Sequence, residues 1–269
     1  MEKNTCISIV TVTFNALDDI KTTANSVWAQ QLDDIEHIIV DGGSTDGTRE
    51  WLLQQKSNIV QWCSEKDEGI YEAMNKGVSM YNGDWGCFMN AGDTFANSET
   101  LIQIKDHLKN NEIDIIYGSV NVIKNFGKVT VDPQELEQLN RKMVFCHQAA
   151  LSRRKLLKEH PFNLRYRLGA DYDFFRWCYL TGKRFKKVPF TLANYEAEDG
   201  ATSKHRLRVL RECGEISGRN RTVIDTLEFL GKCFEVMFNK LYRSFIPSSI
   251  VEKLRARNYQ RLKGQRRHF

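Results

Sequence analysis

The 269-residue sequence predicts an α/β fold, a mostly parallel sheet flanked by helices and followed by a C-terminal helical extension. Two observations predict the sheet. Apolar, β-branched runs alternate with segments of helical spacing through the first 95 residues, the order of a parallel sheet covered on both faces. The first of these runs is also too uniformly apolar for a half-exposed strand, which places it in the middle of such a sheet. A third observation predicts the extension: residues 204–269 hold 16 Lys/Arg against 6 Asp/Glu, so a tail of net charge +10 follows a body of −5.

Residues 6–13, "CISIVTVT", give the first strand, and "ALDDIKTTANSVWAQQ" the first helix, with Ile20, Ala24, Val27 and Trp28 at helical spacing. The second strand ends at Val40. Its Gly/Ser/Asp turn leads into a helix bearing Trp51, Leu52 and Leu53, with Ser44 or Asp46 as cap. "NIVQWCSE" is a third strand, and Ile70, Ala73, Met74, Gly77 and Val78 share one face of the helix after it. "DWGCFMN" is the fourth strand. Residues 113–131 read as two strands joined by an Asn-Phe-Gly turn, while 134–145 show no clear period. "CHQAALSRRKLLKEHPFN" offers a strand and a short helix closed by Pro161. A helix from near Asp171, a strand towards Val188, and then a strand with a polar loop in "TLANYEAEDGATS" complete the body. Beyond Lys204 the pattern is helical and basic, broken at Pro247-Ser248-Ser249, and the domain boundary falls there, near 204.

Seven scattered cysteines, none spaced C-x-x-C, indicate neither a disulfide framework nor a zinc site and suit a reducing cytoplasm. The first residues lack the pattern of a signal peptide, and no apolar stretch is long enough to cross a bilayer. The basic tail brings no nucleic-acid recognition motif with it, so nucleic acid is not the expected partner.

Three polar clusters follow predicted strands: Asn15, then Asp41-Gly42-Gly43-Ser44-Thr45-Asp46-Gly47-Thr48, then Asn90-Ala91-Gly92-Asp93. Strand ends of a parallel sheet converge on one crevice, where such folds bind ligands. A glycine and hydroxyl loop entering a helix suits an anion. The loop is neither G-x-G-x-x-G nor a P-loop, which argues against a dinucleotide-dependent oxidoreductase or a Walker site.

In order, "ISIVTVTFN", "IIVDGGSTDGT", "KDEGIYEAMNKG", "GDWGCFMNAGDTF" and "GADYDFF" resemble the family 2 glycosyltransferases of the GT-A fold, especially those that build bacterial polysaccharides. The resemblance covers residues 6–203. It implies a GT-A catalytic domain at 1–203, divided into a nucleotide-binding half (1–95) and an acceptor half (96–203), with 204–269 as the basic extension. It implies an inverting transfer of a hexose from a nucleotide-sugar donor, a UDP-sugar above all, to a saccharide acceptor.

By the same resemblance Asp41 reads the base, Thr11 and Phe14 line the base and ribose pocket, and Asp67 holds the ribose or the sugar. Asn15, Asn75 and Gly92 join them on the donor side. Asp93 carries Mn2+ or Mg2+ at the place where the family usually presents D-x-D; here Asn90 stands where a second acidic residue would be. A hard cation with oxygen ligands offsets the charge that develops on a leaving diphosphate. Asp171 is the general base, with Asp173 as its understudy, and His147, Gln148, Asp173 and His205 border the acceptor or diphosphate pocket.

Apolar residues interleaved with basic ones from Leu227 to Phe245 suit a peripheral contact with the inner face of an anionic membrane, where an acceptor saccharide is carried on a lipid. Packing on the body and oligomerisation are the rival readings of that tail. The rival for the whole chain is a non-catalytic nucleotide-sugar or saccharide binding module.

Overall fold

The computed structural model describes residues 6–55, 60–124, 127–196, 205–219, 223–244 and 267–268. The chain runs β1 (Ile7–Thr13), α1 (Leu17–Trp28), β2 (Ile35–Asp41), α2 (Thr48–Gln54), β3 (Val60–Ser64), α3 (Ile70–Met80) and β4 (Trp85–Phe88). It continues through β5 (Thr94–Phe95), α4 (Thr100–Gln103), α5 (Lys105–Lys109), β6 (Ile115–Lys124), β7 (Gly127–Asp132), β8 (Ala150–Arg153), α6 (Arg154–Glu159), α7 (Ala170–Leu180) and β9 (Phe185–Glu196). Two helices, α8 (Arg206–Ser217) and α9 (Val223–Ser244), and a short β10 (Arg267–His268) follow.

The sheet order is β10-β7-β6-β8-β4-β1-β2-β3, with β9 paired to β6 and to β5. Strands β3, β2, β1 and β4 are parallel neighbours, and β8 then enters antiparallel between β4 and β6. Every residue of β1 is buried, as its continuous apolar pattern requires of a strand covered on both faces. One core forms where α3, α6 and α7 cover the sheet, around Val10, Met74, Leu156 and Phe174. The other holds Trp85, Leu101, Leu108 and Ile116. Gly77 lets α3 approach β1, since a Cβ there would lie 2.4 Å from Val10 Cγ1.

One alternative resolves and two local expectations change. Asp46, not Ser44, organises the start of α2: its carboxylate accepts from Thr48 N at 3.1 Å and from Leu17 N at 2.9 Å. The two strands expected around Val188 and Leu192 are one strand, β9, which runs through Pro189 because its pairing with β6 slips at Gly118. There a Cβ would lie 2.8 Å from Phe190 O, and a bulge tolerates a residue that has no N–H to donate. Between β5 and β6, α4 and α5 were not anticipated. Leu101, Ile104 and Leu108 are their buried stripe, at spacings of three and four.

After β9 the chain returns to the body through α8. Ile216 is buried in the first core, and the buried Glu212 accepts from the backbone N–H groups of Arg167 and Leu168 at 3.2 and 2.8 Å. Helix α9 exposes Leu227, Leu230, Phe234, Met237 and Phe238. The Asn-Phe-Gly turn, the polar loop after β9 and the Pro247-Ser248-Ser249 break fall in whole or part outside the described residues. No helix among the described residues is long and apolar enough to cross a membrane.

Candidate active site

The carboxyl ends of β1, β2 and β4 open on the same side of the sheet, and the segments leaving them form one surface. Asn15 adopts a left-handed conformation (φ 47°) directly after β1, which a short amide side chain tolerates. There its Oδ1 accepts from Thr45 N at 2.8 Å while its own N–H donates to Ser44 Oγ at 2.7 Å. The turn after β2 is thus stitched to the end of β1. Phe14 is 63% exposed on this surface. Gly42 lies between Phe14 and Asp67: a Cβ there would stand 3.4 Å from Phe14 Cδ2 and 2.7 Å from Asp67 Oδ2. An exposed ring beside a carboxylate offers a stacking face and a hydroxyl acceptor.

Asp41 lies beneath this surface. It is fully buried, and its carboxylate accepts from Ser44 N at 3.1 Å, from Ser64 Oγ at 2.6 Å and from Ser44 Oγ. Thr11 is likewise fully buried, its hydroxyl 2.9 Å from His37 Nε2, so it does not line the pocket. Burial pushes that imidazole down to about 3 and keeps it neutral. The threonine at the strand end is Thr13, opposite Asp41 in register, with a buried hydroxyl that lacks a hydrogen-bond partner. Its position as the last residue before Phe14-Asn15 was the available signal.

The loop after β4 brings the second group. Gly92 takes a positive φ of 95°, and its N–H donates to Thr23 Oγ1 at 3.0 Å, so it shapes the turn. Asp93 is 4% exposed, accepting from Gln148 Nε2 at 2.8 Å and from Glu196 N at 3.1 Å. Burial outweighs these donors and raises its carboxyl to about 6.

Asp171 enters from the first turn of α7. It accepts from Tyr71 OH and from Tyr172 N, each at 2.8 Å on Oδ1, and its Oδ2 meets His147 Nδ1 at 2.8 Å. Burial acts to raise this carboxyl, but the His147 hydrogen bond and charge, with Tyr71 and Tyr172, prevail and hold it below the ordinary carboxylate range. Tyr71 is driven the other way, by burial and then by the Asp171 charge, so its phenol remains a donor. The far side of the imidazole, Nε2, lies 3.3 Å from Asn90 Nδ2. His147 and Gln148 are consecutive residues of one 3-10 turn, His147–Ala149. One reaches Asp171 and the other Asp93.

Three further expected residues lie elsewhere. Asn75 does not face the crevice: its amide donates to Phe162 O at 2.8 Å and accepts from Phe162 N at 3.0 Å, a clamp on the chain after α6. Asp173 is two residues, about 200° of helix, from Asp171. It pairs instead with His160 at 3.4 Å on the outer side of α7. His205 is exposed just before α8 and makes no hydrogen bond with the other candidate residues. Tyr71 is the site residue that sequence reasoning missed, because it sits inside an amphipathic stripe and reads as core.

No cluster of three or more His, Cys, Asp or Glu side chains able to hold a metal occurs among the described residues. The oxygen donors at hand are Asp93 and the buried Asn90 Oδ1, which has no hydrogen-bond partner. Both are hard ligands of the kind Mn2+ and Mg2+ take, and the partial set fits a cation whose remaining ligands come from a bound diphosphate.

Residues 8–168 match the model of glycosyl transferase family 2. A PGL/p-HBAD biosynthesis glycosyltransferase of Mycobacterium bovis (strain BCG / Pasteur 1173P2) is 33% identical over 177 residues, 64% of this chain and 69% of that protein. The amylovoran biosynthesis glycosyltransferase AmsB of Erwinia amylovora is 26% identical over 225 residues, 76% of this chain and 74% of that protein. Among solved structures, S. aureus TarS 1–349 in complex with UDP-GlcNAc superposes with a TM-score of 0.63 at 18% identity. The match covers 78% of this chain and 66% of that one, just under two thirds. The mannosyltransferase PcManGT of Pyrobaculum calidifontis, in complex with GDP-Man and Mn2+, gives 0.58 at 18% identity, covering 78% and 62%. With more than half its length inside the family model and a GT-A neighbour beneath it, the chain belongs to glycosyl transferase family 2, the nucleotide-sugar-dependent glycosyltransferases.

Proposed function

We propose that this glycosyltransferase moves a hexose from a UDP-sugar to a saccharide hydroxyl with inversion, in the assembly of a polysaccharide or glycan. The observation that carries the reading is the His147-Gln148 pair, which brings a depressed carboxylate, Asp171, and a buried one, Asp93, to the two ends of one short turn. Asp171, held ionised, is available to accept a proton, and Asp93 offers carboxylate oxygens to a cation, whose charge would favour its ionised form.

In a single displacement the acceptor oxygen bonds to the anomeric carbon as the bond from that carbon to the diphosphate breaks, and the acceptor proton passes to Asp171. His147 and Tyr71 hold the Asp171 carboxylate in place. Phe14 and Asp67 flank the nucleoside, over the turn that Asn15 pins. Asp41 acts from below, orienting Ser44 and Ser64 at the same end of the sheet. Mn2+ or Mg2+, held by Asp93 and Asn90 Oδ1, would supply charge stabilisation to the departing diphosphate.

We read residues 1–203 as the catalytic unit and 204–269 as an extension whose first helix, α8, packs back on it. The net charge of +10 and the exposed apolar residues of α9 support a peripheral contact with an anionic, cytoplasm-facing lipid surface, where a lipid-linked acceptor would be presented. The testing experiment is donor hydrolysis across UDP- and GDP-sugars with and without Mn2+. Slow metal-dependent release of UDP is expected, and release of GDP alone would replace the donor assignment.

A further inference from the structure

A small, open surface cleft, used by none of the steps above, lies at Tyr71, whose hydroxyl donates to the candidate base. It lies between the start of α3 and the chain after Phe162, with Ile70, Tyr71, Glu72, Leu164, Tyr166 and Arg167 among its walls. Tyr71 joins the cleft to the reaction centre: it is one of the lining residues, and its hydroxyl donates to Asp171. The cleft and the base therefore share Tyr71 as a common neighbour.

The walls are held from several sides. Asn75 clamps Phe162 at one end of the 162–168 segment, and Glu212 accepts from Arg167 and Leu168 at the other. Arg167 also donates to Glu68 O across the mouth. Gly69, with φ 144°, carries no side chain into this approach, where a Cβ would lie 3.5 Å from Arg167 Nη1. The lining chemistry is mixed in a particular way. Ile70, Leu164 and the Tyr166 ring offer apolar faces, Leu164 being 53% exposed. Glu72 and Arg167 place an acceptor and a donor at the rim. C–H faces alternating with hydroxyl groups are what a pyranose presents, and neither a purely apolar ligand nor a polyanion matches this lining.

We infer that this cleft seats the second sugar unit of an oligosaccharide acceptor, next to the unit whose hydroxyl reacts at Asp171. The inference rests on the transferase reading and adds a length requirement to it.

The test uses the full chain with the donor it hydrolyses best. Acceptor probes are p-nitrophenyl β-glucoside against β-cellobioside, β-galactoside against β-lactoside, and β-N-acetylglucosaminide against β-chitobioside. At least one disaccharide is expected to exceed its monosaccharide by about tenfold or more in kcat/KM, the scale of one well-filled subsite. Leu164→Asp, at an exposed position, and Tyr166→Ala are each expected to erase that advantage through a higher disaccharide KM. Saturation-transfer NMR on the same probes should show contact with both rings in the wild type and with one ring in Leu164→Asp. Equal use of mono- and disaccharides, no saturation transfer from any probe, or an effect of both variants confined to the donor KM overturns the assignment. Absence of hydrolysis of every donor by the wild type would instead overturn the transferase reading.

Discussion

His147 Nδ1 stands 2.8 Å from Asp171 Oδ2, and the same carboxylate takes two further hydrogen bonds on Oδ1. Replacing Asp171 by Asn removes the proton acceptor and leaves the volume unchanged. Transfer is expected to fall by about 10²–10⁴-fold, the usual contribution of a general base, while donor affinity measured by calorimetry is retained. Because the Asp171 carboxyl lies below its ordinary 3.8, this group contributes no acid limb to the wild-type rate above that pH. Its contribution to stability is present above the unfolded value and is lost as pH falls through the lower folded one.

Tyr71→Phe deletes one donor to Asp171 and nothing else in the packing. A hydrogen bond to a buried charge contributes about 1.5–3 kcal/mol, so urea unfolding should show a loss of that order. The kcat should drop more than the donor KM rises.

Asp93 behaves in the opposite sense. Its carboxyl is raised from 3.8 to about 6, so the stability that goes with the protonated form is full below about pH 4 and is lost as pH rises through 6. Two units correspond to about 3 kcal/mol, as an order of magnitude. In metal-free buffer, the stability difference between Asp93→Asn and the wild type should move in the variant's favour by about that amount between pH 4 and 7. A flat difference in chemical denaturation would show that Asp93 is not desolvated in solution.

Phe14 is exposed and Asn75 is clamped, and the two separate cleanly. Phe14→Ala should raise the donor Kd by about tenfold, within the 1–3 kcal/mol of base stacking on an aromatic ring, with no change in Tm. Asn75→Ala should cost about 2 kcal/mol of stability through the unpaired Phe162 backbone and leave the donor Kd unchanged. Isothermal calorimetry and thermal unfolding on both variants check this crossed pattern.

The sheet was legible because burial on both faces leaves a mark in the sequence: the near-continuous apolar pattern of β1 and the Ile38-Ile39-Val40 run of β2, between turn residues, fold as parallel neighbours. Pro189 misled, since a proline inside a strand reads as its end unless the strand's own bulge, here the residues of β9 between Lys187 and Thr191 opposite Gly118, is known. Among site residues, those at strand ends were found in the right neighbourhood but with the position along the strand misjudged. Thr11 and Thr13 share a face of β1, and only the second reaches the end of the strand. Asn75 and Asp173 sit on helices, where a sequence motif gives the residue but not the direction in which it points. Tyr71 was invisible because a phenol that packs its ring in the core and spends its hydroxyl on a distant carboxylate carries no local pattern.

The 3-10 turn at His147–Ala149 has a mechanical consequence. Two adjacent residues grip the carboxylates assigned to opposite ends of the displacement, so the separation between proton uptake and charge departure is set by a single peptide unit. That turn works as a ruler. An insertion of one residue between His147 and Gln148 would keep both side chains and still shift one carboxylate's grip relative to the other.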